Sequence, residues 1–123
     1  MNHKDLPVDE ILDKVVLLIV NSKRCGALTG AGISVESGIP AFRGSQGLWE
    51  KYDPDEYATI GAFFSNPAKV WSMLKEMSEL IISAKPNPAH YCLAELERMG
   101  LLHFIITQNV DGLHQLAGSK NVI

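Results

Sequence analysis

The sequence predicts an α/β fold, a parallel sheet with helices on both faces. Two short apolar stretches, Cys25–Thr29 and His103–Thr107, stand between segments with helical spacing. The first runs directly into glycines, Gly30-Ala31-Gly32, and the second into an amide-rich turn, Gln108-Asn109-Val110-Asp111. Strands separated by helices pair in parallel, because the helix carries the chain back across the sheet before the next strand begins. Only two full strands and the start of a third, from Lys120 onward, are expected.

Taken in order, residues 8 to 22 place Ile11, Leu12, Val15, Leu18 and Ile19 at helical spacing, with acids early and Lys23-Arg24 at the end. That charge order suits the helix dipole. Cys25–Thr29 reads as a buried strand, and Ser34–Ser37 as a short helical turn after the glycines. Residues 45 to 62, with Gly47, Asp53, Pro54 and Asp55 among aromatic residues, read as a loop with short helical turns. Asn66-Pro67 is a helix start, since Asn caps free amides and Pro fits the first turn. Val70, Met73, Leu74, Met77, Leu80 and Ile81 give that helix an apolar stripe. Asn87-Pro88 repeats the signal and opens a helix through Cys92, Leu93, Leu96 and Met99, which Gly100 can close. His103–Thr107 reads as a buried strand, and Asn109–Gly118 as a loop or short helix.

Composition narrows the function. The chain has 123 residues, 46% hydrophobic and 20% charged, with a formal net charge of -3, which suits one globular domain. The mild acidity leaves no basic footprint for nucleic acid, and Lys51, Lys69, Lys75 and Lys85 are interleaved with acids. Cys25 and Cys92 form no Cys-x-x-Cys pair, so no zinc ligand set is expected in this chain; free buried thiols in a reducing compartment are the reading, with a single disulfide as the alternative. The longest apolar run, Val15–Val20, is six residues, against the ~20 that span a bilayer. Met1–Pro7 lacks the apolar core of a signal peptide. A cytoplasmic location is the expectation.

The glycine turn poses a choice. Small residues there let backbone amides approach a pyrophosphate, and the same pattern serves a plain strand-to-helix turn. The usual dinucleotide pattern asks for glycine where Val35 stands. Just beyond, Phe42 can cover a flat ring and Arg43 can clamp a phosphate; a core contact and a surface ion pair are the plainer alternatives. Ligands in open α/β sheets bind outside the carboxyl ends of strands, so the Gly30 turn and the Gln108–Asp111 turn are expected to line one crevice. Gln108 and Asn109 offer amides for ribose hydroxyls and Asp111 an acceptor, although Asp111-Gly112 also makes an ordinary turn.

Together, "GAGIS", "SGIPAFRG", "GLW", "KPNPAH" and "TQNVDGLHQLAG" resemble the sirtuins, NAD-dependent protein-lysine deacylases, in order from about residue 25 to the last residue. The resemblance implies a Rossmann-like NAD-binding domain, here residues 1–123 as a single truncated unit, with residues 45–85 as cofactor loop and helical module. It implies that Gly30 to Ser34, with Ala31, Gly32 and the Val35 amide, wrap the pyrophosphate. Phe42 and Arg43 would shield the nicotinamide end, and residues 44 to 49 would form a mobile loop. Gln108 and Asn109 would meet the nicotinamide ribose, and Val110 and Asp111 the carboxamide. Ala41 departs from the family's commoner Asp, which puts fine loop contacts in doubt.

The implied partner is an acyl-lysine protein or peptide, with neither nucleic acid nor membrane. Sirtuins that take acidic acyl groups resemble one another in a Tyr and an Arg after the Trp of this helix. Aligned on Trp71, those places are Leu74 and Met77, an apolar acyl pocket that implies neutral acyl groups. The general-base His and the zinc cysteines of the resemblance lie beyond Ile123, as does the second half of the sheet. His3, His90, His103 and His114 match no base. Arg43 and Asn109 would assist, and the chain alone is expected to be inactive and poorly stable. The alternatives are an ADP-ribosyltransferase on the same scaffold and a non-catalytic NAD-binding fragment.

Overall fold

The computed structural model describes residues 7–123. The readings for Met1–Leu6, including His3, lie outside the described residues. Strands β1 (Gly26–Thr29) and β2 (Phe104–Thr107) pair in parallel, in register from Gly26↔Phe104 to Thr29↔Thr107. On its other side β2 meets Val122, again in parallel, through one bridge at Ile105. Main-chain bonds of 2.8 Å join Ile105 N to Asn121 O, Thr107 N to Ile123 O and Ile123 N to Ile105 O. The expected third strand is therefore present as this single bridge. The Glu97 carboxylate accepts from the amides of Lys120 and Asn121 just before it.

β2 is central, and its Ile105 is fully buried. β1 is not the buried strand that its apolar residues suggest, because among the described residues it has a neighbour on one side only and Leu28 is 82% exposed. Glycine at the start of β1 has a packing reason: a Cβ on Gly26 would fall on the Phe104 ring.

Seven α-helices and one 3₁₀ helix fill the rest of the described chain. α1 (Val8–Asn21) forms as expected but has no buried residue. Of its predicted apolar face only Ile19 is half-buried. The 3₁₀ helix spans Ala31–Ser37, longer than the turn expected at Ser34–Ser37, and ends on Gly38 with φ 87°. Residues 45–62 resolve into α2 (Leu48–Lys51), α3 (Pro54–Tyr57) and the start of α4 (Ile60–Ser65), with Asp53 and Thr59 capping α3 and α4.

α5 (Pro67–Ser83) and α6 (Pro88–Arg98) start where the Asn-Pro pairs place them, with Asn66 accepting from the Lys69 amide and Asn87 from the Ala89 amide. Such caps contribute roughly 1 kcal/mol each. Gly100, at φ 76°, follows α6 in the conformation that glycine adopts most easily. α7 (Leu113–Leu116) is the short helix expected within Asn109–Gly118. The buried apolar residues are Ile39, Leu48, Val70, Met73, Leu102, Ile105 and Leu113. No helix among the described residues is long and apolar enough to cross a membrane.

Candidate functional site

The parallel register puts Thr29 beside Thr107, so the two turns that follow β1 and β2 start side by side. A part-buried polar network then locks them together. Ser34, fully buried, donates its hydroxyl to Asp111 Oδ2 at 2.6 Å. The other oxygen of Asp111 accepts from the Leu113 amide at 2.9 Å and so caps α7. Asn109 Nδ2 donates to the Gly30 carbonyl at 2.9 Å, and its own amide is held by Thr107 Oγ1 at 3.1 Å. A Cβ on Gly30 would stand 2.9 Å from the Gln108 side-chain amide, the movable end of an exposed side chain. Farther along, Asn87 Nδ2 donates to the Ile33 carbonyl at 2.7 Å and to Ser37 Oγ at 2.9 Å, tying the 3₁₀ helix to α6.

Two histidines stand behind this network. His114 shares a 2.9 Å hydrogen bond with Thr29 Oγ1. His90 Nδ1 accepts from the Asn87 amide at 3.2 Å, which leaves the proton of the neutral ring on Nε2. The rings are edge to face, 5.1 Å apart. Burial pushes both below the ordinary histidine value; for His90 the neighbouring His114 adds to this, while Asp111 opposes the shift in both. Both are therefore neutral structural groups near pH 7, and neither lines the cavity in front of the network.

That cavity holds about 350 Å³. One wall is the locked pair of turns, represented by Ala31, Ser34, Gln108, Asn109, Val110 and Asp111. The facing wall is the loop after Ile39-Pro40, with Phe42, Arg43 and Trp49, and behind it Met77 and Ile81 of α5. Phe42 and Trp49 stack with ring centres 5.2 Å apart. The loop closes on itself, Leu48 N bonding to Ala41 O at 2.8 Å and Trp49 N to Phe42 O at 3.0 Å. At the neck Gly47 lies so close that a Cβ would meet the Arg43, Gly44 and Phe42 backbone at 2.8–2.9 Å. Arg43 is exposed and makes no side-chain hydrogen bond or ion pair among the described residues.

The structure thus brings together Ala31, Ser34, Phe42, Arg43, Gln108, Asn109, Val110, Asp111 and Met77 from the predicted set. Gly30, Gly32, Val35 and Leu74 fall outside the lining. Gly30 bonds through its carbonyl to Asn109, Gly32 faces open space, and Val35 and Leu74 are exposed. Sequence reasoning missed Ile39, Pro40, Trp49 and Ile81 as lining residues. Ile81 was findable, since it stands four residues after Met77 and so on the same helix face; Trp49 needed the loop closure to bring it over Phe42.

The model of the Sir2 family matches residues 30–123. The chain belongs to the Sir2 family. Among its curated relatives, NAD-dependent protein deacylase 2 of Pyrobaculum aerophilum is 56% identical over 106 residues, which cover 86% of this chain and 43% of that protein. A solved Sir2 homologue–NAD complex is 53% identical with a TM-score of 0.81, covering 90% of this chain and 43% of that one. A Sir2 structure bound to acetylated peptide is 43% identical with a TM-score of 0.75, covering 96% of this chain and 44% of that one. This Sir2 chain therefore spans less than half the length of those relatives, and the fold and turns above are the part it shares with them.

Proposed function

We propose that this Sir2 chain carries the nicotinamide half of the NAD site of a protein-lysine deacylase. The observation that supports this best is the Ser34–Asp111 bond, which fixes the glycine turn of β1 against the amide turn of β2 at one cavity. The donor set fits a dinucleotide. Gln108 and Asn109 present amides, Arg43 has an unengaged guanidinium for an anionic group, and the Phe42–Trp49 stack offers a flat apolar face. Open space over Gly32 leaves room for the approach of a bulky polar group to the backbone.

When bound, the dinucleotide supplies an electrophilic ribose carbon with nicotinamide as its leaving group. The residues of this chain bind and orient it. Asp111 is itself held by Ser34 and Leu113, so its acceptor position is set before any ligand arrives. The apolar loop wall excludes water from the reacting face. No group of three or more His, Cys, Asp or Glu suited to a metal occurs among the described residues.

An acyl-lysine peptide is the substrate class that fits, as the relatives' names and the acetylated-peptide structure support. Met77 and Ile81 give the α5 wall an apolar surface, where an unpaired carboxylate would cost several kcal/mol, of the order of 3–5. Acetyl and longer neutral acyl groups are preferred over succinyl. The test uses the natural polypeptide that contains these residues, with acetyl-lysine and succinyl-lysine peptides and NAD. Nicotinamide release that depends on acetyl-lysine supports the proposal. Release without any acyl-lysine moves it to ADP-ribosyl transfer, and faster turnover of the succinyl peptide overturns the acyl preference.

A further inference from the structure

The loop that carries Phe42, Arg43 and Trp49 is closed on itself by main-chain bonds, and side chains tie it to α5 through its carboxyl limb. Its carboxyl limb runs straight into α2, whose last residue is Lys51 and whose C-cap is Tyr52. Both side chains reach Glu76 on α5: Lys51 Nζ donates to Oε1 at 2.5 Å, and Tyr52 Oη donates to Oε2. The two bonds hold the Glu76 carboxyl below the usual carboxylate range, and Glu76 in turn raises Lys51 and Tyr52. All three therefore keep their bonded protonation states through the neutral range. On the amino limb, neither Phe42 nor Arg43 has a comparable side-chain anchor among the described residues.

Glu76 also precedes Met77, which lines the cavity with Ile81 one turn on. A single helix thus carries apolar lining of the cavity and the fastening point of the loop that completes it. We propose that Glu76 is a positioning residue for the dinucleotide: by gripping Lys51 and Tyr52 it fixes the distance between the Phe42–Trp49 stack and the Met77–Ile81 wall. It touches neither ligand nor reacting atoms and acts through the loop. The inference rests on the NAD reading of this cavity.

An exposed ion pair by itself adds little to stability, so the proposal predicts an effect on the loop that exceeds any effect on the fold. The natural polypeptide containing these residues is used with Trp71→Phe, and every tryptophan outside them also replaced by Phe, as background, so that Trp49 reports on the loop. Wild-type NAD binding by titration comes first; its absence sinks the cofactor reading and this proposal with it, before any variant is made. In Glu76→Ala the acrylamide quenching of Trp49 rises, and KM for NAD rises about tenfold while kcat at saturating NAD stays within about twofold, the split expected when binding geometry and not chemistry is lost.

The exchanged pair Lys51→Glu with Glu76→Lys restores both readouts toward wild type. Unchanged Trp49 quenching in Glu76→Ala overturns the proposal. So does a loosened loop with an unchanged KM, which would leave the NAD reading standing. If Glu76→Ala fails to fold, the exchanged pair decides: recovery of KM supports the grip, and failure to recover overturns it.

Discussion

The wall of the cavity built from the sheet turns and the wall built from the loop and α5 are held by different physics. The first rests on part-buried, mutually satisfied polar groups, Ser34 with Asp111, Asn109 with Gly30, and Asn87 with Ile33 and Ser37, with Ser34 and Asn87 themselves buried. The second rests on the two main-chain bonds that close the loop, on the solvent-accessible pairs Lys51 with Glu76 and Lys69 with Glu56, and on one aromatic stack. Buried bonds are costly to leave half made, whereas exposed pairs are screened and exchange readily with water. The comparison teaches that one side of the site is prepared in advance and the other can yield to what binds.

The largest effect is expected where that contrast is broken on the rigid side. Asp111→Ala leaves the buried Ser34 hydroxyl and the Leu113 amide unpaired, at a cost of about 2–4 kcal/mol. Urea unfolding should register that loss together with abolished NAD binding, while Asp111→Asn recovers part of both. If Ala at position 111 leaves the unfolding midpoint unchanged, the network is not what holds the turns.

Next comes the neck of the loop. Gly47→Val places a side chain against backbone at 2.8–2.9 Å. The loop must open, so NAD affinity falls several-fold, of the order of a lost 1–2 kcal/mol. The unfolding midpoint moves far less than in Asp111→Ala, and an equal shift in both would erase the distinction between the walls.

A pH series sharpens the comparison without mutation. His90 and His114 have folded values below their ordinary 6.5, burial being the main cause. The unfolded chain therefore binds protons that the fold excludes, and stability is complete above 6.5 and lost as pH falls from there toward the folded values. Urea midpoints measured from pH 8 to pH 5 should decline below that value, and His114→Asn should flatten the decline. Smallest of all, Lys69→Met removes the half-buried partner of the exposed Glu56 and should leave the midpoint within experimental error. A clear drop there would show that the loop side is more firmly built than its exposure implies.

Local chemistry made much of this legible. Asn66-Pro67 and Asn87-Pro88 marked the starts of α5 and α6 because capping is decided within four residues. The two turns were placed at one crevice by strand polarity alone. What escaped were facts settled by neighbours distant in sequence. Cys25–Thr29 reads as buried from its side chains, but exposure depends on how many strands flank it, and Leu28 lies open. The Ser34–Asp111 and His90–His114 pairings join residues far apart in the chain, and nothing in either local segment encodes them. Trp49 enters the cavity only because the loop folds back on Ala41 and Phe42.

α1 carries a practical consequence. Its apolar residues Val8, Leu12, Val16, Leu17, Leu18 and Val20 are each more than half exposed, and they point in several directions around one short rod. A surface of that kind is adhesive in water. A 123-residue polypeptide made without the remaining length found in its relatives should be limited in the test tube by its solubility ceiling. Salting-out anions such as sulfate lower that ceiling, because they strengthen the burial of apolar surface.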